Sequence, residues 1–323
     1  MLALSKDGQF AAVGASAWRT GPVTSPSQFT AVQPMSLWDT ESGQLIRKFG
    51  GHLRGIDSIE FSPDGNYVLS TGSDSSARVW RVDTGRELAV FAPISGGFPQ
   101  VARRPSAAFS PDGKKVLIIN GQFIRIWDLA SRRETWLKAP EPRSIQSASS
   151  SSDCKRIVAS YSANLSQVWD VQTQKPLSGL LSGGNAEYVP GDKYIATISE
   201  NGTVRLFDAE TFEVSMTLEH SGSVDDILIS PSGDRMIVLL ESLTGNNRIS
   251  KYAQLWDLKS GSSLGRIGNA RAGQVLFSHS VVGFSRDGKT ILSTVSKKFW
   301  ESASAVTILS SETGEVLREF ELN

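Results

Sequence analysis

The chain has 323 residues, 39% of them apolar and 20% charged, with 33 Lys plus Arg balanced by 33 Asp plus Glu. That composition can bury a core and excludes a disordered chain; zero formal net charge argues against a generic nucleic-acid binder, whose affinity rests on excess cations. The single cysteine, Cys154, excludes an intrachain disulfide, and no run of about 18 apolar residues is present to span a membrane.

The start, MLALSKDGQF, lacks the charged leader and apolar core of a signal peptide and opens directly in a strand-like pattern. Two readings of that start stand: the gene begins there, or the chain is a sensor module of a longer protein with an effector domain upstream. In both, a soluble, cytoplasmic protein is expected. From the start onward one grammar recurs. It begins as LALSKDGQFAAVGAS and continues as IEFSPDGNYVLSTGSDSSARVWRVDTGRELAVFAP over 59–93 and AAFSPDGKKVLIINGQFIRIWDL over 107–129. Weaker copies start at 147 (SASSSSDCKRIVASYSANLSQVWDV) and 186 (AEYVPGDKYIATISENGTVRLFDA), then clearer ones at 227 (ILISPSGDRMIVLLES) and 282 (VGFSRDGKTILSTVS). An aromatic closes the third run of six copies, at Trp38, Trp80, Trp127, Trp169, Phe207 and Trp256, with Leu309 in the seventh.

Each copy holds four short Val-, Ile-, Leu- and Phe-rich runs separated by turn chemistry. Asp-Gly follows the first run (Asp64-Gly65, Asp112-Gly113, Asp287-Gly288), and Ser-Gly or Thr-Gly follows the third (Ser42-Gly43, Thr84-Gly85, Ser260-Gly261, Thr313-Gly314). Runs of this length and spacing are strands of an antiparallel meander, and no segment sustains a 3.6-residue period. One four-stranded sheet cannot bury both faces, so radial stacking is expected. The fold class is all-β, a seven-bladed β-propeller of four-stranded antiparallel blades. A single domain over 1–323 is expected, with blades near 1–50, 51–95, 96–140, 141–183, 184–221, 222–268 and 269–323.

The segments FSPDG, VWRVDTG, IWDL, VWDV and LWDL, with Gly51-His52, make the chain resemble the WD-repeat β-propeller family over its whole length. A divergent member of bacterial type is expected. The resemblance implies a structural tetrad of His, Ser or Thr, Asp and Trp; only the second copy matches, with His52, Thr71 (or Ser70), Asp74 and Trp80. The other blades then rely on sheet packing. Because the last copy ends in a complete fourth run, EVLREFEL, no strand is left over to be shared with the first blade.

Chemistry is sparse. The three histidines, His52, His220 and His279, fall in three different connections, so no pair has metal-ligand spacing. His52 fits the tetrad, His220 stands where the family's Gly-His would be, and His279 reads as an exposed loop residue. Cys154 has no histidine base in SSDCKR to activate it. Neither a phosphate-binding loop nor a nucleophile elbow occurs. Among the first runs only Glu60 and Glu187 are acidic, and alternation turns Glu60 away from Ile59 and Phe61. No catalytic residue, cofactor or metal is assigned. An axial hydrolase and a nucleic-acid binder are kept as alternatives.

Loop length carries the functional expectation. In the family, second-to-third-strand connections and blade-to-blade connections share one face. Three of the former are long here, 16–34, 242–253 and 296–305, and the connection NARAGQVLFSHS entering the seventh blade joins them. In a ring of seven, blades 6, 7 and 1 are consecutive. The arc would gather Trp18, Arg19, Phe29, Arg248, Lys251, Tyr252, Arg271, Phe277, Lys297, Lys298, Phe299 and Trp300. Aromatic residues and arginine dominate contact energetics, so the arc is read as the binding site for another protein or peptide, acidic or aromatic-bearing. The competing reading packs these aromatics on one another. A weaker second candidate is ISGGFPQVARRP (94–105), with Phe98, Arg103 and Arg104.

Overall fold

Strand-forming residues punctuated by two kinds of polar turn build the described part of the chain. The computed structural model describes residues 1–15, 34–92, 106–140, 143–199, 201–220, 223–243, 249–267, 278–296 and 305–321. Among them there is no helix, and the strands form seven four-stranded sheets, each made of four strands consecutive in sequence and antiparallel. The fold is an all-β, seven-bladed β-propeller. Blade 1 runs from Leu2 to Phe49, blade 2 from Ile56 to Phe91, blade 3 from Ser106 to Lys138 and blade 4 from Ile145 to Ser182. Blade 5 runs from Gly184 to Leu218, blade 6 from Ser223 to Ile267 and blade 7 from Ser278 to Glu321. The chain divides into two compact units: Met1–Ser162 with Val168–Leu177, and Ala163–Gln167 with Ser178–Asn323.

The turns explain why each run stops where it does. In blade 2 the Ser62 hydroxyl donates to Asp64 Oδ1 at 2.6 Å and accepts the Tyr67 N–H at 2.9 Å, pinning both ends of the first hairpin. Gly65 supplies the left-handed residue there, at φ 75°. Ser110 and Asp112 repeat the device in blade 3, and Ser285 and Asp287 in blade 7. In blade 4 the left-handed position falls to Cys154, at φ 55°, and its side chain is buried in the apolar cluster of blades 3 and 4. Burial pushes its thiol pKa up, so it is poorly suited to nucleophilic chemistry. The third-strand turns are closed by carboxylates: Asp39, Asp128 and Asp170 accept the backbone N–H groups of Ser42, Ser131 and Thr173 at 2.7, 2.7 and 2.6 Å.

Packing is by facing sheets. Within the first unit, Ala12, Met35, Leu37 and Phe49 of blade 1 meet Phe61, Val68 and Trp80 of blade 2. Leu69, Val79 and Phe91 of blade 2 then meet Phe109, Ile118 and Trp127 of blade 3. In the second unit, Val204, Leu206 and Leu218 meet Met236 and Trp256, and Ile237, Leu255 and Ile267 meet Ile291 and Leu309. Each of these four seams takes the third-strand aromatic, or Leu309, of the later blade. Burying one aromatic removes ~150–250 Å² from water, about 4–6 kcal/mol before entropy is subtracted. Blade 1 differs. Its Trp38 is 37% exposed where Trp80 is 2%, and Leu2, Leu4 and Val13 on the same sheet face are exposed too.

Two boundaries differ from the sequence reading. The connection expected at 242–253 is mostly strand: Arg235–Leu243 pairs with Ile249–Asp257 through nine residues each, out to Leu243 opposite Ile249. The first strands of blades 6 and 7 also start earlier than their most apolar stretch, at Ser223 and Ser278. Cross-strand pairing continues wherever a neighbour offers backbone groups, and polar residues do not interrupt it.

Candidate functional site

The only site-like constellation that the sequence assigned within the described residues is the polar chain of blade 2. Trp80 Nε1 donates to Ser70 Oγ at 2.9 Å, and Ser70 Oγ lies 2.8 Å from His52 Nε2. His52 Nδ1 faces the Asp74 carboxylate at 3.1 Å. The polarity is consistent: Trp80 donates a hydrogen bond to Ser70, Ser70 to His52 Nε2 and His52 Nδ1 to Asp74. The hydroxyl belongs to Ser70, the alternative that the sequence offered, and not to Thr71. Thr71 points to the other face of its strand, as alternation requires, where its Oγ1 bonds Ser58 Oγ at 2.6 Å.

Serine, histidine and aspartate stand here in the order of a hydrolytic triad, but the geometry denies them that role. Ser70 is wholly buried and its oxygen already accepts the indole N–H, so no substrate carbonyl can reach it. Burial, working against Asp74, pushes the His52 pKa down, so the ring is neutral at pH 7. For Asp74, burial alone would raise the pKa, but the Leu53 and Ser76 hydrogen bonds and His52 bring it down to about 2. What the chain does is brace a connection. Leu53 N–H is fixed on Asp74 Oδ2 at 2.8 Å, while the Leu53 side chain is 76% exposed. Two glycines make room for the chain: a Cβ on Gly72 would lie 2.5 Å from His52 Nδ1, and one on Gly51 2.8 Å from Trp80.

Other blades meet the buried indole differently. In blade 4 Tyr161 occupies the position of Gly72, since it pairs with Ile145 as Gly72 pairs with Ile56, and Trp169 Nε1 donates to its hydroxyl at 2.8 Å. In blade 6 His220 stands edge-on to Trp256, ring centroids 5.2 Å apart. Val238, which pairs with Gln254 as Ser70 pairs with Arg78, takes the serine position. Among the described residues neither His220 Nε2 nor Trp256 Nε1 has a partner there, while His220 Nδ1 makes a long contact of 3.4 Å with Gln254 Oε1.

Of the loop arc, Trp18, Arg19, Phe29, Arg248, Lys297, Lys298, Phe299 and Trp300 lie outside the described residues, as do Arg271 and Phe277 and the Phe98, Arg103 and Arg104 of the second candidate. Lys251 pairs with Glu241 on the long hairpin of blade 6. Tyr252, beside it, is half-buried, packs on the blade 5–6 cluster, and lies under the Arg266 guanidinium at 4.3 Å. Acids missed by the sequence reading lie on the first strands: Asp57 on Ile56–Phe61, and Asp225 and Asp226 on Ser223–Ile229. The run SVDD before ILIS was the available signal. Among the described residues no three His, Cys, Asp or Glu side chains gather as a metal site, and no helix is long and apolar enough to cross a membrane.

Residues 43–81 match the family described as WD domain, G-beta repeat. Eukaryotic translation initiation factor 3 subunit I of Candida albicans is 25% identical over 232 residues, covering 63% of this chain and 64% of that protein. Nuclear distribution protein nudF of Aspergillus niger is 23% identical over 73% of this chain and 57% of its own length. The U3 small nucleolar RNA-associated protein 15 homolog of Gallus gallus is 27% identical over 68% of this chain and 40% of its own. The chain thus spans less than two thirds of the length of these curated relatives. The matches and the seven four-stranded sheets support a WD-repeat propeller. The relatives are eukaryotic, which leaves the bacterial-type expectation without support.

Proposed function

We propose that the chain is a non-catalytic platform that binds another polypeptide, acting as one module over residues 1–323 in the cytoplasm. The binding residues would be Trp18, Arg19, Phe29, Arg248, Lys251, Tyr252, Lys297, Lys298, Phe299 and Trp300, on the long connections of blades 1 and 7 and the long hairpin of blade 6. The observation that supports this reading is the blade 6 hairpin. Its two central strands have nine residues each, against five and six in blade 2, so it stands about three residues, or ~10 Å, beyond an ordinary blade. The strands Ser278–Phe284 and Thr290–Ser296 of blade 7, with seven residues each, lengthen at the same end. Long connections on a rigid sheet scaffold are where binding residues concentrate. The names of two relatives, an initiation factor subunit and a small nucleolar RNA-associated protein, favour work within assemblies. The basic and aromatic composition of these connections suits an acidic or aromatic-bearing segment, with steering by the lysines.

The test is affinity capture with the full chain against the double variant Phe299→Ala, Trp300→Ala, with Leu53→Ala as a comparison on blade 2. Partners should be lost from the double variant by at least about tenfold, the effect of two truncated aromatic anchors. An unchanged partner set with the double variant would remove the arc as the site; loss only with Leu53→Ala would move the site to blade 2.

A further inference from the structure

Two acids in the first strands have no place in the polar chain or in the binding connections. Glu60 pairs with Leu69 one residue before the Phe61–Val68 pair, and Glu187 pairs with Ala196 one residue before the Tyr188–Ile195 pair. They therefore hold the same position in blades 2 and 5, on the sheet face turned toward the next blade. Glu60 Oε2 accepts the Phe109 N–H of blade 3 at 3.3 Å, a bond that crosses the seam between the two sheets. Glu187 meets the charge of Asp226, on the first strand of blade 6. Among the described residues neither carboxyl has a cationic partner.

We propose that the seams between blades 2 and 3 and between blades 5 and 6 are pH-responsive joints. Below neutrality each glutamate is carried as the neutral acid, and its ionisation loosens the contact between the two sheets. Both glutamates are half-buried, and a carboxylate without a cation is costly on the side that faces the apolar sheets. The Phe109 N–H on Glu60 is the one offset among the described residues, and it is weaker than the effect of burial. Against Glu60, the strands Leu2–Leu4 and Ser106–Phe109 carry no titratable side chain, and Tyr67–Gly72 carries only Tyr67. Asp57, on the same strand, accepts a hydrogen bond from Ser73 Oγ at 2.8 Å. Against Glu187, Tyr194–Ile198 carries only Tyr194, and Ser223–Ile229 carries Asp225 and Asp226, both of the same sign. Burial raises Glu60 to about 7 despite the opposing Phe109 N–H, and burial together with Asp226 raises Glu187 to about 7.

The sign follows from linkage. A glutamate in the unfolded chain ionises near 4.5 and in these seams near 7. Below 4.5 both states are protonated and the seams are tightest. Between 4.5 and 7 the unfolded state has lost the proton and the folded state still holds it, so stability falls as pH rises; above 7 it is flat at the lower level. The window ends at neutrality, where small changes of pH alter the charge in the seams.

The experiment uses the full chain, its Glu60→Gln and Glu187→Gln variants singly and together, and Glu213→Gln, an exposed acid, as control. Denaturant unfolding is measured from pH 5 to 8.5, with amide exchange followed at Phe109 and across Ser223–Ile229. The unmodified chain should lose about tenfold or more in its folding constant across that range. The double variant should lose most of that slope and be more stable than the parent at pH 8, and Glu213→Gln should follow the parent. Exchange at Phe109 and Ser223–Ile229 should speed up with pH beyond the intrinsic trend only in the parent and control. Side-chain carboxyl titration of the parent by carbon NMR gives a reading independent of any variant: two glutamates should titrate near neutrality. Titration of all glutamates in the ordinary range, or an equal slope in parent and double variant, would overturn the proposal.

Discussion

Blade 2 and blade 6 both set a histidine from the preceding connection against a buried tryptophan, yet only blade 2 completes the circuit. In blade 2 the Ser70 hydroxyl joins Trp80 to His52, and Asp74 closes the far end. In blade 6 a valine, Val238, stands at the serine position, and both His220 Nε2 and Trp256 Nε1 are buried among the described residues without a partner. The aromatic still fills its seam in both, 2% exposed in Trp80 and 8% in Trp256. The difference shows that the third-strand aromatic packs in its seam with or without the polar chain. The polar chain is an addition that orders one connection. Blade 4 supports the same view, because Tyr161 satisfies its indole with no histidine present.

The comparison can be broken most strongly at Ser70. Ser70→Ala should cost about 2–4 kcal/mol, because it orphans two buried groups at once; chemical denaturation measures the loss, and exchange at the Leu53 amide should rise with it. A change under about 0.5 kcal/mol would mean that the chain is ornamental. Tyr161→Phe in blade 4 removes one acceptor and leaves the ring, so a smaller loss of about 1–2 kcal/mol is expected in the same assay. The smallest effect has the opposite sign. Val238→Thr in blade 6 keeps the side-chain volume and offers one oxygen to two unpartnered groups, for a gain of about 1 kcal/mol after the hydroxyl is desolvated. A loss there would show that His220 and Trp256 are not placed to use it.

Much of the fold was legible because the repeat states it several times over. Asp64-Gly65, Asp112-Gly113 and the third-strand aromatics mark the same two points of each blade, and each error in one copy is corrected by the others. Three things were not legible. Ser70 and Thr71 are adjacent hydroxyls, and only strand register decides which faces the indole. The hairpin from Arg235 to Asp257 looked like a connection because SLTGNNRISKYA is polar, whereas backbone pairing carries the strands through it. Asp226 is hidden for the same reason: the apolar signal begins at Ile227, but the strand begins at Ser223. Of the loop arc, only Lys251 and Tyr252 fall within the described residues.

The sequence by itself determined the number of blades, the strand order within each blade and the tight Gly and Asp turns. Those depend on local chemistry, a turn that needs Gly or Asp and an alternation that marks a face, and local chemistry is written in consecutive residues. The tertiary structure alone decided which polar side chains meet. Glu60 reaches the amide of Phe109, 49 residues away, and His52 reaches Ser70 and Asp74 across two turns. Such meetings depend on which face of a neighbouring sheet lies within about 3 Å, a distance that register and packing set and that no residue carries on its own.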